Sequence, residues 1–279
     1  MTTQHSQLVL VLGATGKTGS RVAADLRARG VGVRTAARNS ADVRFDWNDE
    51  STFDDALRGC DAVYLVPPVM RTDFAGDVST FLDHAERAGV AHVTFLSAYG
   101  MEYAPAEVAL RAVELDLMSR KSLTHSIVRP SWFMQNFSET FLRPIEDTIV
   151  VPNGTGGEAF VSAEDIAAVA AVTLASPADH AGRSYAPTGP ARLTMDEAAQ
   201  AISAALGRTV SYRDTDREAW VSAMTGAGVP AEYGDVLRTL TATIAEGQGS
   251  RPNSDVLAVT GRPPRSFAEF AVQTAAAWQ

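Results

Sequence analysis

The sequence has one cysteine, Cys60, so no disulfide can form within a single chain and disulfide-stapled scaffolds are excluded. Cys60 follows Gly59 and precedes an apolar run, a setting that reads as packing rather than as a catalytic thiol. No uninterrupted apolar stretch approaches the roughly 20 residues that span a bilayer. Residues 1–7 lack the basic-then-apolar order of a secretory signal. Both absences lead us to expect a soluble, cytoplasmic protein. Basic side chains are in deficit, 24 against 33 acidic, for a net charge of −9. A surface of that sign repels phosphate backbones and anionic lipid, so neither nucleic acid nor membrane is an expected partner. An anionic ligand has to be captured locally, by a few placed cations and backbone N–H groups. The histidines, His5, His84, His92, His125 and His180, fall at no metal-ligand spacing; each reads as surface or satisfied core, and no metal is expected.

What is present is enough for a substantial core, with 46% of 279 residues hydrophobic. The first half alternates between two periods. Leu8–Leu12 is a continuous apolar run, as a strand covered on both faces requires. Thr18–Arg29 is helical and Gly30 stops it; Val31–Ala37 and Val43–Phe45 read as the next strands. Helices at Ser51–Arg58, Asp77–Ala88 and Ala106–Arg120 alternate with strands at Ala62–Val66, Val90–Leu96 and Ser126–Val128. This order predicts an α/β fold, a Rossmann doubly wound parallel sheet, with a smaller C-terminal substrate lobe. We expect a dinucleotide-binding domain over residues 1–155. Residues 156–279 should form a mainly helical lobe that completes the sheet and covers the substrate cleft. In that second half, short strands are expected at Thr148–Val151, Glu158–Val161 and Thr209–Tyr212, and a helix at Ala163–Ala175. Capping boxes open two more helices, at Thr194/Glu197 and Ser266/Glu269.

Gly13-Ala-Thr-Gly16-Lys-Thr-Gly19 follows the first strand directly and opens the first helix. A helix N-terminus carries unpaired N–H groups and the positive end of the helix dipole, so it favours an anion. Gly13 allows the tight turn, Gly16 the close approach of a pyrophosphate, and Gly19 the packing of helix on strand. Thr15, Lys17 and Thr18 complete the cradle. The loop lacks the spacing of a nucleotide-triphosphate P-loop. NAD sites place a carboxylate at the end of the second strand to bond the ribose 2′-hydroxyl. Here that stretch reads Thr35-Ala-Ala-Arg38-Asn-Ser40, with no carboxylate. Arg38 can instead pair with a 2′-phosphate, assisted by Ser40 and Lys17, so NADP(H) is the expected cofactor. Asp46 and Trp47 are placed to flank the adenine, and Val66, Pro67 and Pro68 to lie along the nicotinamide ribose.

Ligands of doubly wound sheets lie at the carboxyl ends of the strands. That points to Ser97, Ala98 and Tyr99 after the fifth strand, and to the segment after Arg129-Pro130 at the end of the sixth. The Tyr-x-x-x-Lys pair that protonates a developing alkoxide is missing. Tyr99 is the candidate catalytic group; Trp132, Phe133, Met134, Asn136 and Phe137, with Tyr99, form an aromatic wall suited to a flat substrate.

The glycine loop, Ala37-Arg38, Phe45-Asp-Trp47, Tyr64-Leu-Val-Pro-Pro68, Arg129-Pro-Ser-Trp-Phe-Met-Gln-Asn-Phe137, Phe160-Val-Ser-Ala-Glu-Asp165 and Gly261-Arg-Pro-Pro-Arg-Ser-Phe267 together resemble the NmrA-like atypical short-chain dehydrogenase/reductases. The branch they match contains the ergot-alkaloid reductases that make agroclavine- or festuclavine-type products. The resemblance implies NADP(H) and reduction of iminium, quinone or triphenylmethane-type substrates. Many members carry a lysine in the helix after the fifth strand, where this chain has Leu110, which leaves direct hydride transfer as the simpler mechanism. The expected function is an NADPH-dependent reductase of a small planar electrophile: an iminium, a quinone or a conjugated carbonyl. The alternatives are a non-catalytic redox-sensing regulator and a cofactor-dependent cyclase or isomerase. The partner is a small molecule, and the chain is expected to be a monomer or a homodimer.

Overall fold

The computed structural model describes residues 7–279; His5 lies outside them. In chain order the elements begin with β1 (Leu8–Leu12), α1 (Gly19–Ala28), β2 (Gly32–Ala37), β3 (Val43–Arg44), α2 (Phe53–Leu57), β4 (Ala62–Leu65), α3 (Ala75–Arg87), β5 (His92–Leu96), α4 (Ala109–Ser119) and β6 (Thr124–Val128). They continue with α5 (Asn136–Glu139), β7 (Thr148–Val150), β8 (Gly157–Glu158), α6 (Ala163–Ala175), α7 (Pro177–His180), β9 (Arg183–Tyr185), β10 (Leu193–Thr194) and α8 (Met195–Leu206). The last are β11 (Ser211–Arg213), α9 (Arg217–Gly226), α10 (Ala231–Ala245), α11 (Asp255–Thr260) and α12 (Phe267–Thr274). No helix among the described residues is long and apolar enough to cross a membrane.

Two compact units emerge. The first takes the chain up to Val69, then Asp73–Pro130 and Ile166–Ala186; the second takes Met70–Thr72, Ser131–Asp165 and Pro187–Gln279. This differs from the single cut at 155/156 expected from the sequence. The reason is that Ile166–Ala186, carrying most of α6 and all of β9, returns to the sheet of the first unit.

That sheet is parallel throughout, in the order β3-β2-β1-β4-β5-β6-β9. β1 lies between β2 and β4, so the strand order runs outward in two directions from it, and this is the switch point where doubly wound sheets bind ligands. Its inner strands carry the apolar residues, because helices cover both faces: Val9–Leu12, Val63–Leu65, Val93 and Phe95 are wholly buried. The seventh strand, β9, was not legible in the sequence. Arg183-Ser-Tyr185 is short, polar and largely exposed, an edge strand that takes its conformation from pairing with β6 rather than from its own pattern.

The second unit has its own core around Phe137, Phe160, Phe267, Phe270 and Trp278. The two expected capping boxes are formed: Thr194 and Ser266 each accept from the backbone N–H three residues on, while Glu197 and Glu269 reach back. Two small ladders replace the longer strands expected: β7 pairs parallel with β11, and β8 antiparallel with β10.

At the amino end of β5, His92 is 1% exposed. Its ring contacts the hydroxyls of Thr124 at 2.9 Å and of Thr94 and Ser126 at 3.3 Å. Burial pushes it down to about 4 from an ordinary 6.5. A folded-state value below the unfolded one means that the folded protein binds fewer protons, so stability is lost as pH falls from about 6.5 toward 4. The full loss from this ring is on the order of 3 kcal/mol. In urea unfolding at a series of pH values, His92→Gln is expected to flatten that decline relative to the parent; parallel curves would refute it.

Candidate functional site

The glycine loop answers to two demands, a left-handed turn at Gly13 and a close approach at Gly19. Gly13 has φ +61°, in the left-handed region, and a Cβ there would stand 3.6 Å from Val66. At Gly19 a Cβ would lie 2.3 Å from the Gly13 carbonyl oxygen and 2.9 Å from that of Leu12. The first turn of α1 is thereby held against the end of β1, and Val66 from the end of β4 meets the same loop. The loop closes on itself through the Gly16 N–H to the Gly13 carbonyl at 2.8 Å, and the Ala14 N–H reaches the Ala36 carbonyl of β2 at 3.3 Å. Thr15 and Gly16 are exposed, Lys17 is half-buried, and Thr18, at the N-cap, is buried and makes no side-chain cap. The N–H groups at the mouth of α1 thus remain without a side-chain acceptor at the cap. Gly19→Ala is expected to weaken dinucleotide binding at least about tenfold, because the added methyl pushes the helix off the loop. Calorimetric titration of NADPH checks this, and unchanged affinity would contradict the packing argument.

Arg38 stands exposed just past β2 and, among the described residues, has no ion-pair partner. Asp42, the carboxylate that follows it, is committed elsewhere. It accepts from the Thr35 N–H at 2.8 Å and the Thr35 hydroxyl at 2.7 Å. Those bonds, with Arg27 nearby, hold it below the usual carboxylate range. The end of β2 therefore presents an exposed guanidinium, with Asp42 turned back toward Thr35. Ser40 adopts φ +57°, unusual for a residue with a side chain.

The structure differs from expectation at Trp47. Its indole meets Phe45, Phe81 and Phe53 edge-on, at 5.0, 5.4 and 6.0 Å between ring centres, so it is drawn into an aromatic cluster of the core. Asp46 holds the Asn48 N–H at 3.1 Å. Pro67 is half-buried beside Val66, and Pro68 is buried.

At the ends of β5 and β6 lies a network that sequence reasoning missed. Glu114 of α4 is wholly buried. Its carboxylate accepts from Ser97 (2.6 Å), Arg111 (2.8 Å) and, through both oxygens, Arg129 (2.8 and 2.9 Å). Burial alone would raise its proton affinity, yet the bonds from Arg129, Ser97 and Arg111 hold it below its ordinary value. The signal was available: Glu114 adjoins Val113 on the buried side of α4, which also carries Leu117, and it is the one acid among the helix's buried residues. The hydroxyl of Ser97 is consequently engaged as a donor. Tyr99, two residues on, is 40% exposed, and its N–H donates to the Pro130 carbonyl. Ala98 lies half-buried between them.

In the second unit, Trp132 and Phe133 are half-buried, with the indole edge-on to Phe141 at 5.8 Å and Phe133 bridging to Val161. Met134 and Phe137 belong instead to that unit's core. Phe137 packs against Phe160 (5.1 Å) and Phe267 (4.9 Å), and its carbonyl accepts from Trp278. Segment 132–137 thus divides between partly open positions and core ones, which its composition alone cannot reveal. Asn136 opens α5 and accepts from Thr140. Cys60 is buried, and burial pushes its thiol up, away from the reactive thiolate. The described histidines are engaged or sheltered: His84 with Asp54 and Glu50, His180 with the Tyr185 hydroxyl. Among the described residues no cluster of His, Cys, Asp and Glu could hold a metal.

A family model described as NAD(P)H-binding matches residues 13–177, more than half of the chain. An uncharacterized oxidoreductase of Bacillus subtilis, YesF, is 36% identical over 97% of this chain and 96% of its own. Agroclavine dehydrogenase of Claviceps purpurea is 32% identical, covering 97% of this chain and 98% of the relative. NAD(P)H azoreductase of Xenophilus azovorans is also 32% identical, with 97% and 99% covered. Among solved structures, triphenylmethane reductase of Citrobacter sp., complexed with NADP(H), superimposes with a TM-score of 0.80 over 96% of this chain and 99% of that one. At 22% identity this likeness is one of fold.

Proposed function

Because the chain belongs to the NAD(P)H-binding family, in its NmrA-like branch, we propose that it is an NADPH-dependent reductase that delivers hydride to a small planar electrophile. The observation that carries the choice of nucleotide is the end of β2, where Arg38 is free and Asp42 is bound to Thr35. A guanidinium without a competing carboxylate suits a 2′-phosphate and disfavours the bare 2′-hydroxyl pairing of NAD. Gly13, Thr15, Gly16, Lys17, Thr18 and Gly19 would hold the pyrophosphate; Ser40 would assist Arg38 at the 2′-phosphate, Asp46 would flank the adenine, and Val66, Pro67 and Pro68 would lie along the nicotinamide ribose. The bound cofactor would supply the hydride.

The chain's own residues fit an acceptor that needs little acid assistance. Ser97 donates to Glu114, and Leu110 stands where a lysine would assist a tyrosine. Tyr99, exposed after β5, is the phenol available to hydrogen-bond an anion formed on the product side. Trp132 and Phe133 offer partly open aromatic surface of the kind that recognises flat rings. Relatives named for an azo reduction and for an alkaloid dehydrogenation favour a conjugated acceptor such as an iminium, an azo compound or a quinone, and a place in secondary metabolism. The test is NADPH consumption with a panel of these electrophiles. Turnover of at least one class is expected, with NADPH preferred over NADH. Tight NADPH binding with no turnover of any would overturn the reductase reading.

A further inference from the structure

Glu158 is a carboxylate that the proposed chemistry does not use. It lies in β8, 3% exposed, and among the described residues has no ion-pair partner. One oxygen accepts the Ser250 N–H at 2.9 Å. The other accepts the Ser250 hydroxyl and faces the Trp132 N–H at 3.5 Å. Ser250 in turn accepts the Ala159 N–H at 3.1 Å. The turn before it is fitted to this arrangement, since a Cβ on Gly249 would stand 2.7 Å from the Glu158 carboxylate and 2.3 Å from the Gly157 carbonyl. One side chain thus ties together three segments of the second unit: 131–134, 157–161 and 249–250.

The donors sort the possible side chains. Each oxygen of Glu158 faces a backbone N–H, and a backbone N–H can only donate. A glutamine amide, in either orientation, would set its own N–H₂ against one of them. A protonated carboxyl would keep a full acceptor at one oxygen but accept only weakly at its hydroxyl oxygen. The ionised carboxylate satisfies both donors best. An uncompensated buried charge is expensive, and such groups gather at functional sites. The segment it secures begins with Trp132 and Phe133.

We infer that Glu158 is a positioning residue, whose ionised carboxylate fixes the Trp132–Phe133 segment in the arrangement that receives the substrate. The inference rests on the reading of those two aromatics as substrate-facing. It makes the segment sensitive to acid, because burial raises the proton affinity of Glu158 above the ordinary carboxylate range. The charged groups on the neighbouring segments are Arg192, Glu246 and Arg251. Arg192 donates to the carbonyls of Gly157 (3.0 Å) and Gly247 (2.8 Å) rather than to Glu158, and Glu246 and Arg251 are exposed.

The experiment uses the full chain with NADP⁺ and follows the backbone amide resonances of Trp132 and Ser250 from about pH 8 to about pH 5. Both are expected to titrate with one midpoint above the usual carboxylate range, and in Glu158→Gln to stay fixed at shifted positions. With menadione as a neutral electrophile, Glu158→Gln should raise KM at least about tenfold, leaving NADPH affinity within about twofold. Resonances that do not move over that range overturn the role, as does an unchanged KM. Should Glu158→Gln not fold, the titration of the parent protein and the KM of Ser250→Ala, expected to rise in the same sense, decide the matter. Titrating resonances in a protein that turns over no electrophile would support the anchoring by Glu158 and overturn the reductase reading instead.

Discussion

Replacing Arg38 with alanine is expected to weaken NADPH binding by roughly 10- to 100-fold, while NADH binding changes by no more than about threefold. A hydrogen bond to a charged group contributes about 1.5–3 kcal/mol, and the proposed role sets Arg38 against the 2′-phosphate alone. The guanidinium has no ion-pair partner among the described residues, so its removal exposes no orphaned acid and leaves the fold intact. Asp42 is turned toward Thr35, whose N–H and hydroxyl both donate to its Oδ2. Calorimetric titration of the two nucleotides against parent and variant measures the difference directly. Equal loss for both would mean that Arg38 acts on the loop rather than on the phosphate, and undiminished NADPH binding would remove the basis for the nucleotide assignment.

Glu114→Ala is expected to cost about 3 kcal/mol of stability, the low end of the 3–5 kcal/mol typical when one partner of a buried ion pair is removed. The cost falls mainly on Arg129, 8% exposed, whose guanidinium would lose both of its bonds to Glu114. Arg111 is nearer water and can rehydrate. Glu102, 3.6 Å from Arg129, offers partial compensation, which is why the low end applies. Ser97 would lose its acceptor, loosening the turn that carries Ala98 and Tyr99. Urea unfolding measures the loss, and a change below about 1 kcal/mol would show that the network is not a structural anchor. The pH dependence has a definite sign. Glu114 is held below its ordinary value of 4.5, so its contribution is present above that pH and fades as acid carries the protein down through the lowered value.

How far the sequence could be read depended on whether a signal was local. The glycine loop was legible because its three glycines answer to steric demands a few residues apart: the left-handed turn at Gly13 and the 2.3 Å approach at Gly19. Arg38 was legible because the place after the second strand is fixed by chain order. The capping boxes at Thr194 and Ser266 were legible because each is complete within four residues. Glu114 was not, since its partners come from β5, its own helix and the end of β6, which are joined only when the sheet forms. Trp47 and Phe137 show the same limit from the other side. An aromatic residue looks alike in sequence whether it faces a ligand or a neighbour's ring, and distant Phe81 and Phe267 decided which.

The sequence by itself determined the alternation of apolar strand and amphipathic helix, the glycine turn after the first strand and the missing acid directly after the second. Each is written in backbone sterics or side-chain charge within a single short segment. Tertiary structure alone decided that β9 joins the sheet, that Ser97 donates a hydrogen bond to a buried glutamate, and that Glu158 has two backbone donors but, among the described residues, no ion-pair partner. Those outcomes depend on which distant groups share a low-dielectric interior, where an unmet donor or an unpaired charge costs several kcal/mol.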